Sequence, residues 1–391
     1  MSSQPQEETT TAASGVVADD PSEVRRRYLA SAKSLVVKLG SQLLSDKEGR
    51  LDAAFLTSVA TQVAELKSRG VQVTIVSSGA IAAGLRELNL PKRPTDLGML
   101  QAVAAVGQRR LMDGWAAAFA PHKLPVAQIL LTREDIDERS RFLNLRNTVN
   151  AIHAFNAVPI INENDTISTD ELVKLTFGDN DILAALVTHA LRADVLCLLS
   201  VVDGVLDEAG QPRRVIEEVA GARSLVRVDK SSLGKGGMNS KLNAAQMVTG
   251  SGEAMVVAHG RMENILPRLL AGEMVGTLFV PAARKRAGKN RWIGAARPAG
   301  LIHVDDGAAK AVGEKNRSLL PAGIAKVEGT FGPGDVVGIV AADGTLIARG
   351  LTNYASADIE RIKGMKSPQV RSLLAEEAYD EVIHRDNMVL E

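Results

Sequence analysis

The chain has 391 residues, long enough for two or three domains, and its 45% hydrophobic and 24% charged content is that of a globular protein rather than a disordered or fibrous one. Lys+Arg and Asp+Glu stand at 46 each, so the chain as a whole gives no electrostatic reason to expect bulk binding to nucleic acid or to a membrane surface. The single cysteine, Cys197, lies in the apolar run VLCLLSVV and cannot form an internal disulfide; it fits a reducing compartment and reads as an inert strand residue.

Residues 1–24 contain no Lys or Arg and lack an apolar core, which suits neither a signal peptide nor a transit peptide. Residues 1–30 are expected to form a disordered tail, and the cytoplasm is the expected location. No apolar run approaches the ~18 residues that a bilayer-spanning helix needs. From residue 33, short apolar runs alternate with longer amphipathic ones. SLVVKL predicts a strand. LDAAFLTSVATQVAELKSRG predicts a helix, with Phe55, Leu56, Val59, Val63 and Leu66 on one face and Gly70 as its stop. VQVTIVSS is the next strand and GAIAAGLREL a helix of small residues. Further strands are expected at PVAQILL, AVPIIN, DVLCLLSV and AMVVA, and further helices over 98–119, 140–156, 180–192 and 240–250. This alternation predicts an α/β fold over 31–280, with a mainly parallel sheet covered on both faces. A basic stretch over 281–295 reads as a linker. Beyond it, Gly-Pro-Gly and Asp-Gly dipeptides between short apolar runs predict hairpins and a small β-rich domain over 296–391.

Ligands of open α/β sheets gather where strands end and helices begin, and five such places stand out. Lys38 lies inside the first strand, where a lysine needs an anion or a path to water, and Gly40 just beyond it would let backbone N–H groups approach a phosphate. A lysine at a strand edge is the plain alternative. Ser78 and Gly79 stand where a helix begins, as an anion site or as a simple Ser cap. Asn162, Glu163, Asn164 and Asp165 follow an apolar strand at once, as a binding cluster or as a polar loop. Asp179, Asn180 and Asp181 open a helix with more polar groups than capping requires.

The fifth place is LGKGGMNSK at 233–241, with three glycines and two lysines. It lacks the spacing of a P-loop. Lys241 at a helix start opposes the dipole and calls for an anion nearby. Two lysines, glycine turns and a carboxamide and carboxylate cluster fit phosphoryl transfer, which is mostly positioning and charge neutralisation. The six histidines show no zinc-site spacing, and no G-x-S-x-G elbow occurs.

The segments VVKLGS, VSSGAIAAG, LLTREDI, RFLNLRNT, VPIINENDT, FGDNDILAALV and GKGGMNSKLNAA follow the order seen in the glutamate 5-kinases of the amino acid kinase family. The resemblance covers about residues 34–280, and the part beyond 296 resembles a PUA domain. It implies an αβα sandwich around a mainly parallel sheet. It also implies transfer of the ATP γ-phosphoryl group to the side-chain carboxylate of L-glutamate, the first step of proline synthesis. Mg²⁺ would be carried mainly on the ATP phosphates.

By the same resemblance Lys38 and Lys241 flank the transferring phosphoryl group and Asp181 pairs with both. Ser78, Asp165 and Asn180 bind glutamate, with Asn162, Asp179 and the Gly79 amide as lesser partners. Lys38, Gly40, Ser200, Val201, Lys235, Gly236, Gly237, Met238, Asn239, Ser240 and Lys241 lie along the nucleotide. Val201 stands where the family commonly has Asp, and Thr176 where Lys or Arg is frequent. The family commonly forms dimers or tetramers, which implies a homo-oligomer. The sequence leaves open both proline as a feedback inhibitor and RNA as a partner of the PUA-like part. The alternative is an amino-acid-sensing or RNA-binding protein on the same fold that does not turn over; the presence of Lys38, Asp181 and Lys241 argues against it.

Overall fold

The structure, a computed structural model, describes residues 20–46, 48–167, 180–207, 209–223, 237–282, 288–374 and 379–391. Residues 1–19 of the expected tail, and the candidate positions Thr176, Asp179, Lys235 and Gly236, lie outside the described residues.

Eight strands form one sheet: β1 (Ser34–Leu39), β2 (Gln72–Val76), β3 (Val126–Leu131), β4 (Val158–Glu163), β5 (Val195–Ser200), β6 (Val215–Ile216), β7 (Ala254–His259) and β8 (Thr277–Phe279). Their spatial order is β3-β4-β2-β1-β5-β7-β8-β6, and every pairing is parallel except β7 with β8. The predicted strands correspond to β1–β5 and β7. β6 and β8 hold two and three residues, too few for a periodic signal. The chain lays β1, then builds one side through β2, β3 and β4, and returns to place β5 on the other side of β1. That reversal is where open α/β sheets leave a crevice at the carboxyl ends of their strands.

The associated helices are α1 (Pro21–Leu29), α2 (Ser41–Leu44), α3 (Ala53–Ser68), α4 (Ala80–Glu87), α5 (Leu97–Phe119), α6 (Arg133–Asp137), α7 (Arg139–Ala154), α8 (Asn180–Leu191), α9 (Val219–Arg223), α10 (Met238–Gly250), α11 (Ile265–Leu270) and α12 (Gly288–Ala295). They cover both faces. Leu35, Val37 and Leu39 of β1 pack with Phe55, Leu56 and Val59 of α3 and Leu111 and Trp115 of α5. Val36 packs instead with Leu183 and Leu186 of α8 and Leu242 and Val248 of α10. Alternate residues of a strand point to opposite faces, so one apolar strand feeds two cores.

The structure corrects the expected tail at residues 21–29. They form α1, with Val24, Arg25 and Leu29 buried. The Arg25 guanidinium is fully buried and donates to the carbonyls of Glu273 at 2.7 Å, Arg214 at 2.9 Å and Val275 at 2.5 Å. Burial, with Arg214 nearby, lowers its pKa to about 10. Three carbonyl acceptors satisfy a charge whose long-range partners no local pattern announces.

The C-terminal part carries β9 (Gly300–Val304), α13 (Asp306–Gly313), β10 (Ile324–Gly329), β11 (Val336–Val340), β12 (Leu346–Leu351), α14 (Ser356–Ile362), α15 (Ser367–Leu374) and β13 (Met388–Leu390). Its sheet runs β10-β9-β11-β12-β13, with β9–β11 parallel and the other pairs antiparallel. Within the stretch expected as a basic linker, residues 288–295 form α12. Trp292 and Ile293 are buried in the same apolar cluster as Leu183 of α8 and Val336 and Val389 of the C-terminal sheet. Arg349 of β12 donates to the Gly294 carbonyl at 2.6 Å, Arg133 of α6 donates to the Ala295 carbonyl, and the Arg139 guanidinium lies 5.6 Å from the Trp292 ring centre. Among the described residues no helix is long and apolar enough to cross a membrane.

Candidate active site

Strand alternation decides where Lys38 points. It is in phase with Val36 and therefore faces the layer of α8 and α10. Asp181 lies in the first turn of α8 and Lys241 in the first turn of α10. The Lys38 Nζ is 2.6 Å from Asp181 Oδ1, and the Lys241 Nζ is 2.9 Å from Asp181 Oδ2. The three residues are 7%, 0% and 5% exposed, so all three charges are withdrawn from water. Burial opposes ionisation of Asp181, but the charges and hydrogen bonds of Lys38 and Lys241 outweigh it and hold its carboxyl below the ordinary value of 3.8. Asp181 also gains from the α8 dipole, whereas Lys241 works against that of α10. The helix begins at Met238, with Gly237 as N-cap and no side-chain cap bond, so Lys241 does not begin it as expected. The carboxylate of Asp181 compensates the unfavourable placement.

Next to Asp181, Asn180 connects this triad to an amide cluster. Its Nδ2 lies 2.8 Å from the Ser77 carbonyl oxygen, 2.7 Å from Ser78 Oγ and 3.1 Å from Asn162 Oδ1, three acceptors that share its two N–H groups. The simple Ser cap does not form: the N-cap of α4 is Gly79, at φ +94°, with no side-chain cap bond. A left-handed residue there favours glycine, and the uncapped N–H groups of α4 suit an anion. Asn162 and Glu163 are the last two residues of β4 rather than part of a loop, and both are buried. Asp165 follows shortly and is 8% exposed.

Among the residues expected along the nucleotide, a Cβ added at Gly40 would lie 4.0 Å from Lys38 Nζ. Ser240 Oγ is buried and without a hydrogen-bond partner among the described residues. Met238 packs partly on the α8–α10 core, while Asn239 is exposed. Ser200 ends β5, its carbonyl accepting from Gly260 N–H at 2.8 Å, and Val201 beyond it is 44% exposed. Ser200, Val201 and Asn239 thus stay outside the triad and the amide cluster. Cys197 is enclosed in β5, where burial pushes its thiol up to about 12, far from the thiolate that a nucleophile requires.

Three neighbours of the site were not among the sequence candidates: Ser77, Gln108 and Trp115. Gln108 Oε1 accepts from Asn162 Nδ2 at 2.8 Å, and Trp115 Nε1 donates to Ser77 Oγ at 3.2 Å. A signal existed. Gln108 falls on the apolar stripe of Leu100, Val103, Ala104, Leu111 and Trp115 in α5, and an amide on a buried stripe demands a polar partner.

Residues 33–259 match the amino acid kinase family, and residues 300–374 match the PUA domain. The chain is 45% identical over 375 residues to the glutamate 5-kinase of Geobacter sp. (strain M21), covering 94% of this chain and all of that protein. It is 41% identical to the glutamate 5-kinase of Rhodopirellula baltica, over 94% of this chain and 96% of the relative. With that of Pseudomonas entomophila it shares 40% identity, over 93% of this chain and the whole of the relative. The chain belongs to the amino acid kinase family and, within it, to the glutamate 5-kinases.

Proposed function

We propose that this protein transfers the γ-phosphoryl group of ATP to the side-chain carboxylate of L-glutamate, yielding glutamyl 5-phosphate and ADP, the first step of proline biosynthesis. The observation that carries this reading is the buried Lys38–Asp181–Lys241 triad at the carboxyl ends of parallel strands. A glutamate carboxylate oxygen attacks the γ-phosphorus, and the bond to the β–γ bridging oxygen breaks as ADP leaves. The carboxylate is already a nucleophile at neutral pH, so no side chain has to remove a proton. The barrier is the approach of one anion to another, and two ammonium groups held by one carboxylate leave a net positive charge to offset it.

Ser78, Asn180, Asn162, Asp165 and the Gly79 amide form the glutamate side in this reading. Asp179 would join them, and Lys235 and Gly236 would join Gly40, Ser200, Val201, Gly237, Met238, Asn239 and Ser240 along ATP. Among the described residues no three His, Cys, Asp or Glu side chains converge on a metal position, and both Asp181 oxygens face lysines. The described residues offer no cage for Mg²⁺, whose place would be on the ATP phosphates. A cytoplasmic setting and a homo-oligomeric assembly complete the proposal, with the larger domain widened from the expected 31–280 to take in α1, and a second domain near 296–391.

The test is ATP turnover by the purified protein with L-glutamate, L-aspartate, N-acetylglutamate or UMP as acceptor and hydroxylamine to trap an acyl phosphate. Hydroxamate is expected with L-glutamate. A folded sample that turns over with none of them would overturn the proposal in favour of a binding protein.

A further inference from the structure

Resting on that reading, we infer that Gln108 is a positioning residue for the phosphoryl acceptor, acting through Asn162 to fix which way the amides of the glutamate site point. A primary amide can rotate by half a turn at almost no cost in shape, exchanging donor for acceptor. Asn162 and Asn180 therefore carry an ambiguity that a binding site must remove. The Ser77 carbonyl settles the Asn180 end, and Gln108 holds the Asn162 end. Gln108 Oε1 accepts from Asn162 Nδ2 at 2.8 Å, so Asn162 turns its Oδ1 toward Asn180, whose Nδ2 approaches at 3.1 Å. The same Nδ2 serves the Ser77 carbonyl and Ser78 Oγ, so the nitrogen of Asn180 is committed to the protein. The group of Asn180 left for a ligand is its carbonyl oxygen. An acceptor there favours a substrate that brings N–H donors, as an α-ammonium group does, over one whose nitrogen is acylated.

Gln108 sits in a close-packed part of α5. It is buried, and its own Nε2 has no hydrogen-bond partner among the described residues. Turning the Gln108 amide would set two NH₂ groups face to face, so Gln108 and Asn162 hold one sense together, and the Ser77 carbonyl, which can only accept, sets that sense through Asn180. The preceding residue, Gly107, lies so close to α4 that a Cβ there would come within 1.8 Å of the Ala80 carbonyl oxygen. Trp115, seven positions after Gln108 on the same side of α5, donates to Ser77 Oγ. One helix therefore supports both Asn162 and the turn that carries Ser78 and Gly79.

The test is a double-mutant cycle of Gln108→Met and Asn162→Ala, reading KM for L-glutamate, KM for ATP, kcat and melting temperature, with calorimetric titration of L-glutamate alongside. Gln108→Met keeps the side-chain length and removes the strong acceptor. We expect it to raise glutamate KM roughly tenfold, as for loss of a hydrogen bond that orients a charged group, with ATP KM unchanged. In the Asn162→Ala background the same substitution should have no further effect on glutamate KM, because its only route is gone. Additive effects, or an unchanged glutamate KM in folded Gln108→Met, would overturn the inference. Wild-type protein that neither turns over nor binds L-glutamate would instead overturn the functional reading, and this inference with it.

Discussion

In the eight-stranded sheet the chain buries Lys38, Asp181 and Lys241 together, along with Asn162, Glu163 and Asp165. In the five-stranded sheet region, among the described residues beyond 300, the buried polar side chains reduce to Thr352, and pairs such as Lys326 with Glu328 lie at the surface. The strand arrangement explains much of this. Parallel strands deliver their carboxyl ends, and the helix starts that follow, to one edge, so charges from distant segments meet there and must neutralise one another. The mainly antiparallel strands of the smaller sheet alternate between a packed face and a wet face, as the mixed burial of β10 and β12 illustrates, and their charges remain in water. Buried charge is therefore a better guide to chemistry here than the number of charged residues.

The largest effect that would break this comparison is at Asp181. Asp181→Ala strands two lysine ammonium groups away from water, and denaturant unfolding should show a loss of about 3–5 kcal/mol. Glu328→Ala in the smaller sheet should leave the unfolding midpoint in place. The pH dependence follows from the depressed Asp181 pKa. Stability from its ionised form is full above the ordinary 3.8 and is lost as pH falls through the lower folded value. The gap between wild type and Asp181→Asn should therefore close only below pH 3.8, and a gap that closes by pH 5 would contradict the pairing.

Next comes Lys241→Met, which should lower kcat by at least ~100-fold with the fold retained, as expected when a charge on the transition state is lost. A near-normal rate would remove Lys241 from the chemistry. Asp165→Asn should act mainly on glutamate KM, by roughly tenfold or more, since a hydrogen bond to a charged group contributes about 1.5–3 kcal/mol. An unchanged KM would take Asp165 out of the site. The smallest pair of effects tests packing alone. Gly107→Ala meets the Ala80 backbone at 1.8 Å, whereas Gly338→Ala in β11 meets only the ends of Leu301 and Leu346 at 2.8 and 2.9 Å. Thermal unfolding should show about 1–3 kcal/mol lost at Gly107 and less at Gly338.

By itself the sequence determined the alternation of strands and helices, because apolar period is a local property: β1–β5, β7, α3, α5, α8 and α10 all follow from it. It also marked Lys38, Asp181 and Lys241, because charges next to apolar runs and helix starts are conspicuous without coordinates. Only the tertiary structure decided that one carboxylate holds both lysines, that Gly79 rather than Ser78 caps α4, and that Arg25 binds three carbonyls from residues near the far edge of the sheet. The same holds for Gln108 and Asn162, 54 positions apart in the chain and 2.8 Å apart in space. Periodicity sets which face a residue shares with its neighbours along one element, whereas hydrogen bonds between elements depend on how those elements pack.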